Sequence, residues 1–173
     1  MKTLSICLTV IAAIALIITG ISDYGRWISY KRSCFDNLAY AANSSNIAEA
    51  RNNLALAHNY IEQVNLTTGN TAYFNQTPKN DLGRWYGQRK MALDSLNNLV
   101  QQDSLIPGSV DRLTKDNALM KLREVLGGDD YITEPQHIHL YPDQNTYLFS
   151  YIIFAIMFCV FGCIWIGKAI NSV

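Results

Sequence analysis

The sequence predicts an all-α protein in which one transmembrane helix at each end flanks an extramembrane antiparallel four-helix bundle. Two runs without a charged residue, 3–22 and 144–167, predict the membrane helices. Apolar residues that recur at steps of three and four through the middle of the chain predict the bundle. With 173 residues, the chain is long enough for one ordinary domain.

The first apolar run, residues 4–21, predicts an anchor helix over residues 1–22. At ~1.5 Å per residue, this helix would cross the ~30 Å hydrocarbon core of a bilayer. A cleaved signal peptide is the alternative, because Met1-Lys2 resembles a short basic n-region. The apolar stretch exceeds the usual h-region of ~7–15 residues, and no convincing A-x-A cleavage site precedes Asp23. We therefore expect an uncleaved signal anchor.

The second membrane helix is predicted over residues 146–169, followed by a short tail, 170–173. Tyr147, Tyr151 and Trp165 lie near its ends, where amphipathic rings favour the headgroup region.

Small residues at every fourth position predict a helix-packing surface on each membrane helix. These residues are Ala155, Cys159 and Cys163 on the second helix, and Ser5, Thr9 and Ala13 on the first. Packing of the two helices on each other is the simpler interpretation, and a partner subunit seated on one stripe is the alternative.

Four helices are predicted in the extramembrane domain, residues 23–128. The first covers 23–42 and can continue the anchor helix. The second begins at the N-cap Asn46, with Glu49 in capping-box spacing, and runs to Val64. The third covers 81–100, and Arg89 is the one polar intrusion in its apolar stripe. The fourth covers 109–126 and stops at the glycine pair 127–128.

An even number of antiparallel helices returns the chain to the side of the membrane that it left. The linker 129–145 then leads into the second membrane helix. Lys and Arg are almost evenly distributed around the two runs, but long domains translocate largely regardless of charge. We expect a plasma or inner membrane, both termini in the cytoplasm, and residues 23–145 outside.

A short sequence occurs twice with the pattern Asp-x-Gly-Arg-Trp. The segments 23–38 and 81–96 match in register, and the match has two interpretations, a duplicated helical hairpin or coincidence. Because both segments begin helices that leave the membrane, Arg26, Trp27, Arg84 and Trp85 are predicted membrane-interface residues. A position in the bundle core is the alternative for both tryptophans, and it is the commoner one for a tryptophan at helical spacing.

The sequence contains no catalytic or cofactor motif, so we expect neither an enzyme nor a bound cofactor. His137 and His139, with acidic residues nearby, have the chemistry of a metal site. Structural zinc needs four fixed ligands, however, and this linker predicts no rigid frame, so we expect solvated side chains and no metal. His58 is predicted on the polar side of its helix. The balance of 14 basic and 14 acidic residues argues against nucleic acid as a partner.

These features predict a non-catalytic membrane protein, an accessory, scaffold or regulatory subunit whose partners are lipid and either another protein or a second copy of itself. A sensory or ligand-binding protein is the alternative. The order of anchor, helical bundle and anchor is similar to the input half of bacterial chemoreceptors and sensor kinases. That resemblance concerns architecture alone. Only residues 168–173 follow the second run of this chain, so we expect no output domain within it.

Overall fold

The computed structural model describes residues 2–74, 76–127 and 132–170, without the side chains of 2–5, 165, 166 and 168–170. The described part is helical, with no strand and a single isolated bridge between Asn70 and Asp81. Two helices are long and apolar enough to cross a membrane, Ile6–Asn43 and Gln144–Ile164, and each contains an 18-residue stretch with a mean hydropathy of 2.3. The all-α class and the two long apolar helices are confirmed.

The helices begin and end close to the predicted positions. They are α1 Lys2–Tyr30, α2 Asp36–Asn43, α3 Ile47–Gln63, α4 Leu82–Leu105, α5 Arg112–Leu126 and α6 Gln144–Ile170. A π-helical turn, Lys31–Phe35, joins α1 to α2, so helical backbone continues from the first apolar run to Asn43. Short 3₁₀ helices cover Pro78–Asn80 and Ile138–Leu140.

The chain divides into two compact units. The terminal unit consists of Met1–Trp27 and Pro142–Val173, and the central unit consists of Ile28–Tyr141. In the central unit, α3 packs against α2, α4 and α5, and α5 also packs against α2 and α4. The shared core contains the buried side chains of Leu38, Leu54, Ile61, Leu96 and Leu126. Burial of each such side chain contributes about 1.5–3 kcal/mol relative to an exposed position.

Local capping explains where α3 starts. The Asn46 side chain accepts a 2.8 Å hydrogen bond from the backbone N–H of Ala48, as an N-cap residue does. The predicted capping box is not formed. Glu49 instead accepts a 3.1 Å bond from the hydroxyl of Ser44, and that hydroxyl also accepts the backbone N–H of Asn46 at 3.2 Å. The Ser44 hydroxyl therefore accepts the backbone N–H of Asn46, which the Glu49 side chain would accept in a capping box.

Aspartates cap the next two helices. Asp81 accepts from the backbone N–H of Arg84 at 3.0 Å, and Asp111 accepts from that of Thr114 at 2.8 Å. The cap at Asp111 starts α5 three residues later than predicted. Gly127 ends α5 with a φ of 127°, a backbone conformation that residues with a Cβ atom rarely adopt.

Candidate functional site

Charged and polar groups of α1 and α6 meet within the terminal unit. The guanidinium Nη2 of Arg26 lies 2.9 Å from Oδ2 of Asp143, and the guanidinium carbon is 5.1 Å from the centre of the Tyr147 ring. The hydroxyls of Ser22 and Tyr147 are 2.7 Å apart. We call this group, together with Asp23 and Tyr151, the polar clamp.

The polar clamp fixes the relative direction of the two helices. Tyr151 donates a 3.1 Å hydrogen bond to Asp23, near the Ser22–Tyr147 pair, whereas Arg26 reaches back to Asp143. Moving forward along α1 thus corresponds to moving backward along α6. The helices run antiparallel, and their apolar runs extend from the clamp in the same direction.

Beyond the clamp, the apolar side chains of both helices are exposed. In the most apolar 18-residue window of each candidate span, only 6% and 0% of the residues are buried. Large aliphatic side chains such as Ile14, Ile18, Ile153 and Ile156 are more than half exposed. The core helix of a soluble protein would bury such residues, and soluble proteins rarely expose apolar patches above a few hundred Å².

Two of the four predicted interface residues lie at the clamp end of α1. Trp27 is exposed and stacks on Tyr24 with ring centres 5.8 Å apart, and Arg26 belongs to the clamp. Arg84 is exposed in the first turn of α4. The interface prediction for Trp85 is corrected: its side chain is only 5% exposed, because it packs in the core of the central unit.

The two Asp-x-Gly-Arg-Trp segments have different environments. Asp81 is an N-cap, whereas Asp23 lies inside α1 and accepts a hydrogen bond from Tyr151. Trp27 is exposed and Trp85 is buried. Duplication stays a hypothesis, but the matching residues do not have matching structural roles.

The small-residue stripe Ala155, Cys159 and Cys163 is exposed along α6. The partly buried positions between residues 154 and 163 are Phe154, Met157, Phe161 and Gly162. On α1, Ala12 is fully buried, while Thr9 and Ala13 are partly buried; the side chain of Ser5 lies outside the described part.

Arg89, the polar intrusion predicted in α4, is buried in the central unit with 1% exposure. Its guanidinium donates to the backbone oxygens of Trp85, at 3.1 Å, and Thr133, at 2.5 Å, and lies 4.2 Å from the Trp85 ring centre. Burial lowers the pKa of Arg89 to about 10, so the group stays cationic at neutral pH.

A second polar contact lies close to Arg89. The hydroxyl of Tyr30, at the end of α1, donates a 2.6 Å hydrogen bond to Glu134. Desolvation of its carboxyl group raises the pKa of Glu134, although the residue as a whole is exposed. Burial raises the pKa of the neighbouring Cys34 thiol to about 12. Cys34 is therefore a protonated, buried thiol with little nucleophilic character.

Contacts with the core hold the segment 132–141, which the sequence assigns to a solvated linker. Trp85 Nε1 donates to the Thr133 oxygen at 3.1 Å, and the backbone N–H of Thr133 donates to Leu126 at 2.8 Å. Ile138 and Leu140 are buried. The expectation of a linker without a rigid frame is thus wrong for these residues, because distant side chains bind its backbone.

The histidines take positions that the sequence did not indicate. The His137 ring lies 4.5 Å from that of Tyr73, and its backbone is left-handed with a φ of 55°. No group of three or more possible metal ligands occurs among the residues that the structure describes, and the flanking aspartates 129 and 130 lie outside them. His58 is 7% exposed rather than solvated, because the Tyr86 ring stacks on it at 4.9 Å.

A largely apolar groove of about 620 Å³ runs between α4 and α5. Its lining includes Met91, Leu99, Ala118, Leu122 and Val125. Met91 is 64% exposed, so its side chain is available to a bound molecule.

No protein-family model, curated protein or solved structure matches this chain. Sequence reasoning missed Tyr30, Thr133 and Glu134, which surround the buried arginine. The position of Arg89 in an apolar stripe could have indicated that acceptor groups lie near it, since a buried guanidinium requires hydrogen-bond acceptors.

Proposed function

We propose that this chain is a non-catalytic membrane protein with two membrane-spanning helices, an accessory, scaffold or regulatory subunit that docks a partner. The observation that carries the proposal is the exposure of the apolar side chains of α1 and α6 beyond the polar clamp. The hydrocarbon core of a bilayer is the environment in which such exposed apolar helices are stable. Tyr24 and Trp27 near the clamp suit the headgroup region.

In this proposal both termini lie in the cytoplasm and residues 23–145 lie outside, in a plasma or inner membrane. The antiparallel direction of α1 and α6 at the polar clamp supports termini on one side. The mutual packing of α2, α3, α4 and α5 supports an antiparallel four-helix bundle outside the bilayer.

The α4/α5 groove supports the docking role. Its exposed apolar lining fits the apolar face of a partner helix, a recurring mode of recognition. Lys121 also lines the groove and adds a positive charge, which favours an acidic residue on the partner helix.

Purification from membranes in a mild detergent tests the proposal. We expect a stoichiometric membrane protein to co-purify with the wild type and to be lost from Ser95→Trp, which fills the groove. Asn97→Trp is the matched control, since Asn97 is exposed on the same helix outside the groove lining. Equal capture by both variants would contradict docking in the groove, and release of the chain by a carbonate wash would contradict membrane insertion.

A sensory or ligand-binding role is the second candidate. The volume of the α4/α5 groove lies within the ~300–1,000 Å³ typical of small-molecule sites. A lone homodimer, whose melting temperature rises with apolar small molecules in the wild type but not in Ser95→Trp, would favour this role over partner docking.

A further inference from the structure

A second groove lies in the central unit, between the loop that follows α3 and the segment 132–136. Its volume is about 550 Å³, and its lining includes Tyr73, Phe74, Lys79, Asn80, Glu134 and Gln136. This combination differs from the α4/α5 groove, because two aromatic rings share a wall with side chains of both charges.

The two rings form a corner at one part of the groove. Their centres are 6.4 Å apart and their planes are inclined by 49°. Phe74 is 82% exposed, so almost all of its ring is available to a bound group. Inclined aromatic rings attract an ammonium group through their electron-rich faces.

Glu134 and Lys79 supply opposite charges to the same groove. One oxygen of Glu134 accepts the Tyr30 hydroxyl at 2.6 Å, yet the side chain is still exposed. Lys79 is exposed as well, and the ion pairs found in the described ranges do not join it to Glu134. Asn80 is buried and is held by a 3.1 Å bond that its Oδ1 accepts from the backbone of Gln136.

We propose that this groove binds a small zwitterion, an ammonium group joined by a short linker to a carboxylate or phosphate. The ammonium lies against Tyr73, Phe74 and Glu134, and the anionic group lies at Lys79. A cation alone would meet the charge of Lys79, and an anion alone would meet that of Glu134. A free metabolite and a phospholipid headgroup share this chemistry.

The position of Glu134 gives the groove a route to the rest of the central unit. Glu134 accepts the hydroxyl of Tyr30, the last residue of α1, while its neighbour Thr133 accepts the side chains of Trp85 and Arg89. An ammonium group at Glu134 competes for the carboxylate that Tyr30 now holds. The inference is independent of partner docking at the α4/α5 groove, because binding is measured on the chain alone.

The test is calorimetric titration of the full chain in dodecyl maltoside, a detergent without a zwitterionic headgroup. Glycine betaine and phosphocholine are the zwitterionic probes, while choline and acetate each carry one half of the charge pattern. We expect saturable binding of at least one zwitterion, about tenfold tighter than that of choline or acetate, as loss of one charged contact implies. Absence of saturable binding of both zwitterions, or equal binding of choline, would overturn the proposal.

Variants test the named contacts. Phe74→Ala is expected to weaken zwitterion binding about 2–5-fold, the range that an exposed cation–π contact implies. Lys79→Ala and Glu134→Gln are expected to weaken it as well. Tyr40→Ala removes an aromatic ring that is 64% exposed on α2, and binding should be unchanged. Circular dichroism checks that each variant is folded, and undiminished binding by folded Phe74→Ala and Lys79→Ala would overturn the assignment.

Nanodiscs distinguish the two sources of the zwitterion. If a headgroup is the natural ligand, phosphatidylcholine nanodiscs will weaken the binding of added glycine betaine, and phosphatidylglycerol nanodiscs will not. Equal binding in both lipids would support a free zwitterion from solution. Both results support the groove, and failure of betaine and phosphocholine to bind in phosphatidylglycerol nanodiscs as well as in detergent would reject it.

Discussion

The hydroxyl of Tyr30 donates a 2.6 Å hydrogen bond to Glu134, which lies 104 residues later in the chain. Tyr30 is the last residue of α1, and Glu134 belongs to the segment that leads toward α6. One residue before Glu134, the backbone oxygen of Thr133 accepts donors from both Trp85 and Arg89. The side chains of Tyr30, Trp85 and Arg89 therefore bind residues 133 and 134 to the core of the central unit.

Substitution of Arg89 tests how the buried charge affects stability. Arg89→Ala leaves a cavity and removes two hydrogen bonds, so we expect a loss of about 2–4 kcal/mol in the free energy of unfolding. Arg89→Met keeps most of the apolar volume and removes the buried charge, so its loss should be clearly smaller. Denaturant unfolding of both variants in detergent measures the difference. A methionine variant as unstable as the alanine variant would show that the guanidinium is indispensable.

The carboxyl of Glu134 predicts a pH dependence of stability. Desolvation of the carboxyl group in this partly exposed residue raises its pKa above the ordinary value of 4.5, so the folded state binds the proton more tightly than the unfolded state. The resulting stabilisation is complete below the ordinary pKa and is lost as the pH rises through the raised pKa. Glu134→Gln keeps an acceptor for Tyr30 without this titration.

Melting temperatures measured across that pH window compare wild type with Glu134→Gln. We expect the wild type to lose stability relative to the variant as the pH rises. Glu134→Ala is the control for the hydrogen bond, and it should be less stable than Glu134→Gln by about 1 kcal/mol. Parallel pH profiles of wild type and Glu134→Gln would rule out Glu134 as the titrating group. Other nearby charges, including Arg89 and His139, are present in both proteins.

Cys34 is expected to resist thiol reagents in the folded protein. Its side chain is fully buried, and a pKa of about 12 leaves very little thiolate at neutral pH. In a background without the other three cysteines, maleimide should label Cys34 only after unfolding. Ser45→Cys in a cysteine-free background is the positive control, because Ser45 is exposed. Labelling of folded Cys34 at the rate of the control would disprove its burial.

The Arg26–Asp143 pair should contribute little to stability by itself. Its side chains are 40% and 48% exposed, so water screens the attraction. A double-mutant cycle with Arg26→Ala and Asp143→Ala should give a coupling of about 0.2–1 kcal/mol, which decreases with added salt. Salt-dependent melting in detergent provides the measurement. A coupling several times larger would mean that the pair lies in a much drier environment.

The helices could be predicted because their signals are local. The apolar periodicity and the Asn46 cap placed α3, and the two uncharged runs placed the long helices of the terminal unit. The packing of segment 132–141 against the core could not be predicted from local signals, because the side chains that bind it, Trp85 and Arg89, are distant in the sequence.

Burial of single polar residues was the least predictable feature. His58 follows the polar side of α3 in the sequence pattern, yet the ring of Tyr86 from α4 covers it. Trp27 and Trp85 occur in nearly identical pentapeptides, and only packing against distant residues separates an exposed ring from a buried one. Such differences depend on tertiary contacts that a single sequence does not reveal.

The membrane arrangement is tested most directly by cysteine accessibility in native membranes. One cysteine-free variant carries Ser109→Cys, at an exposed position between α4 and α5, and another carries a cysteine tag after Val173. We expect a membrane-impermeant maleimide to label Ser109→Cys in intact cells and the tag only in inverted vesicles, with both proteins retained after a carbonate wash. Labelling of both cysteines from the same side, or release of the proteins by the wash, would contradict this arrangement.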